Sequence, residues 1–540
     1  MANTLKFGAG QWATKEGSTL AYNDENDNYK PLPFTFTRSS SATVVNKAGL
    51  IETVGNGIPR IDFLGNTQGA LKLEPQRTNL ITYSEDFPRN YWTKSGASIQ
   101  GDPSTLGSEL VTHGSFTGSA SGWALGTGWA YSSNAINATS TSSVCYQDIA
   151  AMQSNITYTV TYQISNYSGG NIQWRFGGTG TVDGATRNAN GTYTESFTNS
   201  SSGDKRLFLS PSGFTGTIDN VSVKEVQGFT SPDGTNNAYK LVEGTNNGGH
   251  TAYKLNASIS SGINYTYSVF VKGTERVLQM VLSSSFSANF CNFDLSDGTI
   301  GSNNGLVDSN ITSFSNGWYR CDITALSNGT TAHLELILAE SKTSSRYTTY
   351  QGNGTSSIYI YGAQLEVGTY PTSYIPTQGS AVTRLADSCI NSGNEQVINS
   401  TEGVLYAEIS ALADDSSSRK IALNDGTGNN QITVSYGSGG SNIIQSIVYD
   451  GTSVVVDMSY SSINITNYNK IAIKYTSGNS SLWVNGVEVD TDNAAFSGLS
   501  LSDLSFNNGG TNNPFYGNIK DVRIYNTALS DSELAALTQV

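Results

Sequence analysis

At 540 residues and 57.3 kDa the chain is too long for one hydrophobic core, and about 100 to 200 residues per domain predicts roughly three to five domains. A net charge of −14 and a pI near 4.7 exclude a duplex nucleic-acid partner or an anionic membrane surface, because both need concentrated Lys and Arg. No run reaches the roughly 18 apolar residues that cross a bilayer, and Met1 to Gly10 lacks the charged-then-apolar plan of a signal peptide, so a soluble protein made in a cytoplasm, without membrane insertion, is expected.

Only 13% of residues are charged, and 57 Gly and 29 Tyr stand among abundant Ser, Thr and Asn. That mixture favours short strands joined by Gly and Asn turns, since aromatic and β-branched residues suit a half-buried pleated face. The expected fold class is all-β: several antiparallel β-sandwich modules in series, with a short C-terminal helix. Cys145, Cys291, Cys321 and Cys389 are widely spread with no C-x-x-C pair, so buried free thiols are expected, with Cys291 and Cys321 as candidate neighbours in one sheet.

In chain order, residues 1–77 have weak periodicity and many turn residues. Asp24, Asn26 and Asn28 open like a calcium loop, but Thr35 stands where a bidentate Glu is required, which removes that reading. Calcium binding elsewhere stays open, and no other cofactor is expected. The stretches FTFTRSSSATVVNKAGLIETVGNGIPRIDF (Phe34 to Phe63) and LEPQRTNLITYSEDF (Leu73 to Phe87) follow. Together they resemble the N-terminal portion of bacteriophage tail and virion appendage proteins, where TRSS-AT-VN-GLIE leads into EPQRTN-L-YSEDF. The resemblance covers about sixty residues. It implies a virion protein made in a bacterial host, with residues 1–77 as its attachment region and other virion proteins as partners.

NLITYSEDFPRNYWTKSG from Asn79 and ELVTHGSFTGSASGWALG from Glu109 share Leu, a hydrophobic residue, Thr, then Phe and Trp, as if one first strand were written twice. Only the second is followed directly by a complete module. The first resumes at Gly228 with GFTSPDGTNNAYKLVEG, and in the phage family a WTKSG-like stretch continues straight into an SPDGT-like one. Residues 101–227 are therefore expected as a module inserted into a discontinuous module of 78–100 plus 228–380. Such an insertion is mild, because chain-closure entropy grows slowly with length.

Both modules carry period-two strands. Ile156, Tyr158, Val160, Tyr162 and Ile164 alternate with polar residues, as do Tyr265, Tyr267, Val269 and Val271, which predicts one buried and one wet face. Both modules resemble jelly-roll carbohydrate-binding modules of phage appendages and glycan-degrading enzymes. Residues 381–399, after the prolines at 371 and 376, are expected as a linker.

From about Ser400 short strands lead to SLWVNGVEVD (Ser481 to Asp490), where Asn485-Gly486 suits a type I′ turn. The chain ends in GNIKDVRIYNTALSDSELAAL (Gly517 to Leu537), a strand and then a helix opened by Ser530 and Glu533 as a capping box. Residues 400–540 resemble the concanavalin A-like lectin and laminin-G family, which has an LYVNG-like hairpin and a closing G-x-I-x-x-V-R-I-Y strand. Gly216 to Val226 and Ser357 to Gly368 are weaker copies of that closing strand.

No catalytic residue is assigned. His113, His250 and His333 are far apart, and no G-x-S-x-G elbow or phosphate loop occurs. Glu488, Asp490 and Asp492 approach the E-x-D-x-x-E of lectin-fold glycosidases, but Asn493 stands in place of the third acid. Trp174 and Trp318 read as core. Sugar binding needs only an aromatic platform with amide and hydroxyl partners, so the glycan-binding candidates are Trp483, Asn485 and Asp490, with Trp123 and Trp129 beside a Gly-rich turn.

The sequence-level expectation is a tail or head fibre or spike, trimeric as such fibres usually are, that binds host-surface glycans. The alternatives are a particle-borne polysaccharide depolymerase and a decoration protein that binds no sugar.

Overall fold

The structure is a computed structural model that describes residues 4–23, 28–153, 156–177, 182–199, 205–287 and 289–540. These residues are nearly all β: antiparallel sheets and a single regular α-helix, Asp531–Thr538. No helix among them is long and apolar enough to cross a membrane.

The C-terminal sheet runs, by strand, Ser388–Ile390, Asn28–Thr37, Ser18–Asn23, Leu5–Gly8, Gly517–Tyr525, Glu402–Ala411, Asn469–Thr476, Ser480–Val484 and Val487–Asp492. A five-stranded sheet faces it, from Val454–Ser461 to Asp503–Ser505. Between them Leu5, Phe7, Phe34 and Leu71 share one core with Leu405, Ile432, Ile444, Ile471 and Val522. Residues 1–77, expected as a region apart from 400–540, thus supply strands to the same sheet. The physical reason is at the closing strand: Leu5 sits opposite Ile524 and Phe7 opposite Val522, covering an edge that would otherwise expose unpaired backbone and an apolar face.

Gly8 ends that first strand at φ +90, where a Cβ would stand 2.1 Å from the Lys520 carbonyl oxygen. Alanine at this position would meet both a steric and a backbone penalty. Gly8→Ala is expected to lower unfolding stability by about 2–3 kcal/mol, checked by urea denaturation.

The expected linker is also built in. Val382–Arg384 pairs with Arg77–Asn79, and Ser388–Ile390 with Asn28–Thr37. Its Arg384 and Asp387 are buried in an ion cluster with three motif residues of the N-terminal region. Arg38 Nη1 donates to Asp387 (3.1 Å) and Arg60 Nη2 pairs with the same carboxylate. Arg60 Nη1 and Arg384 Nη1 both donate to Glu74 Oε2, at 2.6 and 2.7 Å. Burial pushes the Glu74 carboxyl up, but Arg384 and Arg60 outweigh it and hold it well below the usual carboxylate range. A pattern search sees Pro-flanked charge as a spacer; only the fold reveals that these charges are paired.

Strands drawn from 93–100 and 229–367 form a six- and a seven-stranded sheet, with Ile81, Phe87 and Trp92 in the core between them. Among the described residues, the strands between Leu106 and Val226 pair only among themselves in a nine-stranded sheet, built on the long strands Thr157–Phe176 and Arg206–Val226. In the first of these Tyr158, Val160, Tyr162 and Ile164 are buried as the alternation predicts.

The strand Asn264–Lys272 differs from expectation. Thr266, Ser268 and Phe270 are buried as well as Tyr265, Tyr267, Val269 and Val271, so it has no wet face. The segment around Tyr374 covers it: Phe270 packs with Ile51, Trp318, Tyr361 and Tyr374, while Arg320 donates to Ser268 Oγ (2.9 Å) and to the Thr372 carbonyl (2.6 Å). All four cysteines are free and buried. Cys291 and Cys321 lie in facing sheets of one core rather than in one sheet.

Candidate functional site

The hairpin holding Trp483 forms as its sequence dictates. Asn485 and Gly486 adopt φ 50 and φ 89, the two positive values a type I′ turn requires, and Val484 pairs with Val487. The Asn485 side chain serves the turn itself, accepting from the Lys470 N–H (3.0 Å) and donating to Asn469 Oδ1 (2.9 Å). Trp483 then pairs with Glu488, and a bulge beyond that pair sets Leu482 opposite Asp490; Val487 is exposed. Trp483 does point away from the main core, as the alternation implies. It is nevertheless 7% exposed, packed with Tyr406, Ala472, Tyr525, Leu529 and Leu534 beneath the C-terminal helix. That helix opens as expected, with Ser530 N–H donating to Glu533 (2.8 Å).

The near-glycosidase acids on the returning strand serve as backbone acceptors. Asp490 accepts from Ser459 N–H (2.9 Å) and Asp492 from Asp457 N–H (3.1 Å), tying the facing sheet's edge strand to the hairpin. Trp123 and Trp129 are buried, donating to the carbonyls of Thr112 (3.2 Å) and Ser143 (2.7 Å). Trp174 and Trp318 are core residues. None of the five sequence candidates presents an open aromatic platform, and they do not converge on one surface.

The histidines stay apart. His113 contacts the Ser121 carbonyl, His333 the Asn256 side chain, and buried His250 the carbonyls of Gly96 and Tyr350. Among the described residues no three His, Cys, Asp or Glu side chains form a set that could hold a metal ion.

What the fold does create is a cleft of about 1100 Å³ where the seven-stranded sheet meets the C-terminal sandwich. One wall is the strand Asp308–Ser313, on which Asp308, Asn310 and Thr312 alternate to a common side. Asn310 is registered against Asp322 of the next strand, and Tyr370 and Pro371 continue this wall. The opposite wall is made by loops of the sandwich carrying Asp414, Asp415, Asn442, Asn464 and Thr466, together with Asn518 of the strand Gly517–Tyr525. Asn442, at φ 52, donates its N–H to Asp414 (3.1 Å), and Asp415 is held by Arg419 (2.7 Å).

Asp322 is 2% exposed, and its Oδ1 has no hydrogen-bond partner among the described residues. Burial raises its carboxyl to about 7 against the opposing pull of Arg320 and of the Asn310 side chain, with Asp308 and Glu366 adding to the rise. An acid raised above its unfolded value of about 3.9 keeps a proton that the unfolded chain has lost. Stability therefore declines as pH climbs from about 4 through 7. Asp322→Asn is expected to remove about 2–4 kcal/mol of that decline, seen as a smaller fall in Tm between pH 5 and 9 than in the unmodified chain.

A second cleft of about 510 Å³ separates the 106–226 sheet from its neighbour, with Glu85, Asp86, Arg89, Gln153, Glu225 and Tyr239 on its walls. Arg89 Nη2 reaches across to Gln153 Oε1 (2.9 Å).

Sequence reasoning missed both clefts. Their residues come from segments more than a hundred positions apart, and the nearest local signal was the polar alternation Asp308-x-Asn310-x-Thr312.

Likeness to known proteins is low in sequence identity. Residues 394–535 match the family described as the concanavalin A-like lectin/glucanases superfamily. No match to the chain is found among curated proteins. Among solved structures, the Ruminococcus gnavus IT-sialidase CBM40 bound to alpha2,3 sialyllactose is 16% identical, covering 27% of this chain and 92% of that one at a TM-score of 0.24. The CBM22-1-CBM22-2 tandem domain from Paenibacillus barcinonensis Xyn10C is 12% identical over 51% of this chain and 100% of that one, TM-score 0.20. Trypanosoma rangeli sialidase is 8% identical over 99% and 98%, TM-score 0.23.

Proposed function

We propose that the protein is a glycan-binding protein built of several β-sandwiches, and that the cleft between the seven-stranded sheet and the C-terminal sandwich is its saccharide site. The observation that carries this is the cleft wall: amides of Asn310, Asn442 and Asn464, hydroxyls of Thr312 and Thr466 and the carboxylate of Asp414 surround about 1100 Å³. Sugar hydroxyls need such mixed donors and acceptors in a concave site. The match of residues 394–535 to a lectin-containing superfamily is consistent with it. On a glycan array, binding by the full chain that falls at least about tenfold in the Asn310→Ala/Asn464→Ala double variant is the expected result, since each lost hydrogen bond is worth about 0.5–1.5 kcal/mol. Undiminished binding would move the site elsewhere, and no signal would favour a decoration protein that binds no sugar.

The finer reading is a bacteriophage tail or head fibre or spike. It rests on the resemblance of residues 34–87 to virion appendage proteins. In it 101–227 is an inserted unit within 78–100 plus 228–380, and copies assemble as a homotrimer so that weak contacts add in avidity. Because Leu5, Phe7, Phe34, Phe36, Leu71 and Leu73 share a core with the C-terminal sandwich, attachment to the particle would use the outer surface of that joint unit. A cryo-EM map of the particle that shows threefold density for this chain is the expected result; the protein found free and monomeric would overturn it. The competing depolymerase reading requires two carboxylates about 5–9 Å apart converging on a cleft, and turnover of capsular polysaccharide by the purified chain would establish it.

A further inference from the structure

The charge of the same cleft selects its ligand. Its walls carry the carboxylates of Asp308, Asp414 and Asp415, and no Lys, Arg or His is among the lining residues. The guanidinium groups near it are engaged: Arg419 is buried against Asp415, Arg320 against Ser268 and the Thr372 carbonyl, and Arg77 lies over the Tyr370 ring (5.6 Å) and near Glu366 (3.9 Å). Independently of that acidic lining, the Oδ1 of deeply buried Asp322 lacks a hydrogen-bond partner among the described residues, so an acceptor is left unused at the cleft wall. An unused acceptor in a desolvated position favours a ligand that donates.

We infer that the cleft takes saccharides that carry no negative charge, and prefers those bearing free amino groups over neutral ones. This rests on the saccharide reading above and narrows it. Recognition of a sugar carboxylate uses forked Arg donors, and none faces this cleft. A carboxylate sugar would instead be desolvated among like charges, whereas an ammonium group would gain, because a concave wall of one sign concentrates the field. The chain's net charge of −14 acts in the same direction during encounter.

The test is calorimetric titration of the full chain with three hexamers: glucosamine, maltose-type glucose and galacturonic acid. The expected order is the glucosamine hexamer tightest, by roughly fivefold over the neutral one at low salt, with that advantage shrinking in 0.5 M salt (about a 4 Å Debye length). The acidic hexamer should give no heat. In Asp308→Asn/Asp414→Asn, whose fold is checked by its melting curve, the glucosamine-to-neutral affinity ratio should fall to about one. Tighter binding of the galacturonic hexamer, or a ratio unchanged in the variant, overturns the selection and leaves the saccharide reading standing. Absence of binding by all three, joined to silence on the array, overturns both.

Discussion

Glu74→Gln is expected to destabilise the protein by about 3–5 kcal/mol, the largest effect of any single charge substitution here. Glu74 is 2% exposed and receives Arg60, Arg384, the Ser373 hydroxyl (2.6 Å) and the Ser373 N–H (2.8 Å). Removing its charge takes away the carboxylate that pairs with buried Arg384 and leaves buried Arg60 sharing Asp387 with Arg38. The measurement is the midpoint of urea denaturation. The same site predicts acid sensitivity. A carboxyl held well below its ordinary value in the folded state contributes stability that is complete above the unfolded pKa of about 4.3 and is lost as pH falls through the folded value. The unmodified chain should therefore lose stability below about pH 4, and Glu74→Gln should lose less over that range.

Trp483→Ala is the second large effect, about 3–5 kcal/mol from loss of a buried indole and the cavity it leaves. Trp483 packs the hairpin against Leu534 of the C-terminal helix and Leu529 just before it, and its Nε1 donates to Ser481 Oγ (3.0 Å). The outcome separates two roles for this residue. A helix-docking role lowers the melting temperature and leaves glycan binding at permissive temperature intact. A glycan contact would abolish binding with stability preserved, and would contradict the packing described.

The fate of Trp483 illustrates why a period-two pattern stops short of a site. Alternation with Leu482 and Val484 correctly places the indole on the far side of the sheet. Whether that side is wet depends on what lies over it, and the covering helix begins some fifty residues later. The same logic applies to Thr266, Ser268 and Phe270: polar positions between buried aromatics read as a solvent face until Arg320 and the 372–374 segment close over them.

The local features were legible because they are set by neighbouring residues. The all-β class, the Asn485-Gly486 turn, the capping box at Ser530, the alternating strand from Tyr158 and the buried free thiols all follow from backbone preference and side-chain period. The recurring motifs around Arg38, Arg60 and Glu74 were visible too, yet only as a resemblance. Their side chains meet Arg384 and Asp387 from more than three hundred positions away, so no local rule could reveal that they are the charges of one buried cluster. Tertiary structure alone decided that the first strand lies against the last, that the apparent linker pairs with the strands at 28–37 and 77–79, and that Asp308 and Asp322 face Asp414 across a cleft. Those outcomes depend on which distant edges and faces find partners, a property of the assembled sheets rather than of any stretch of chain.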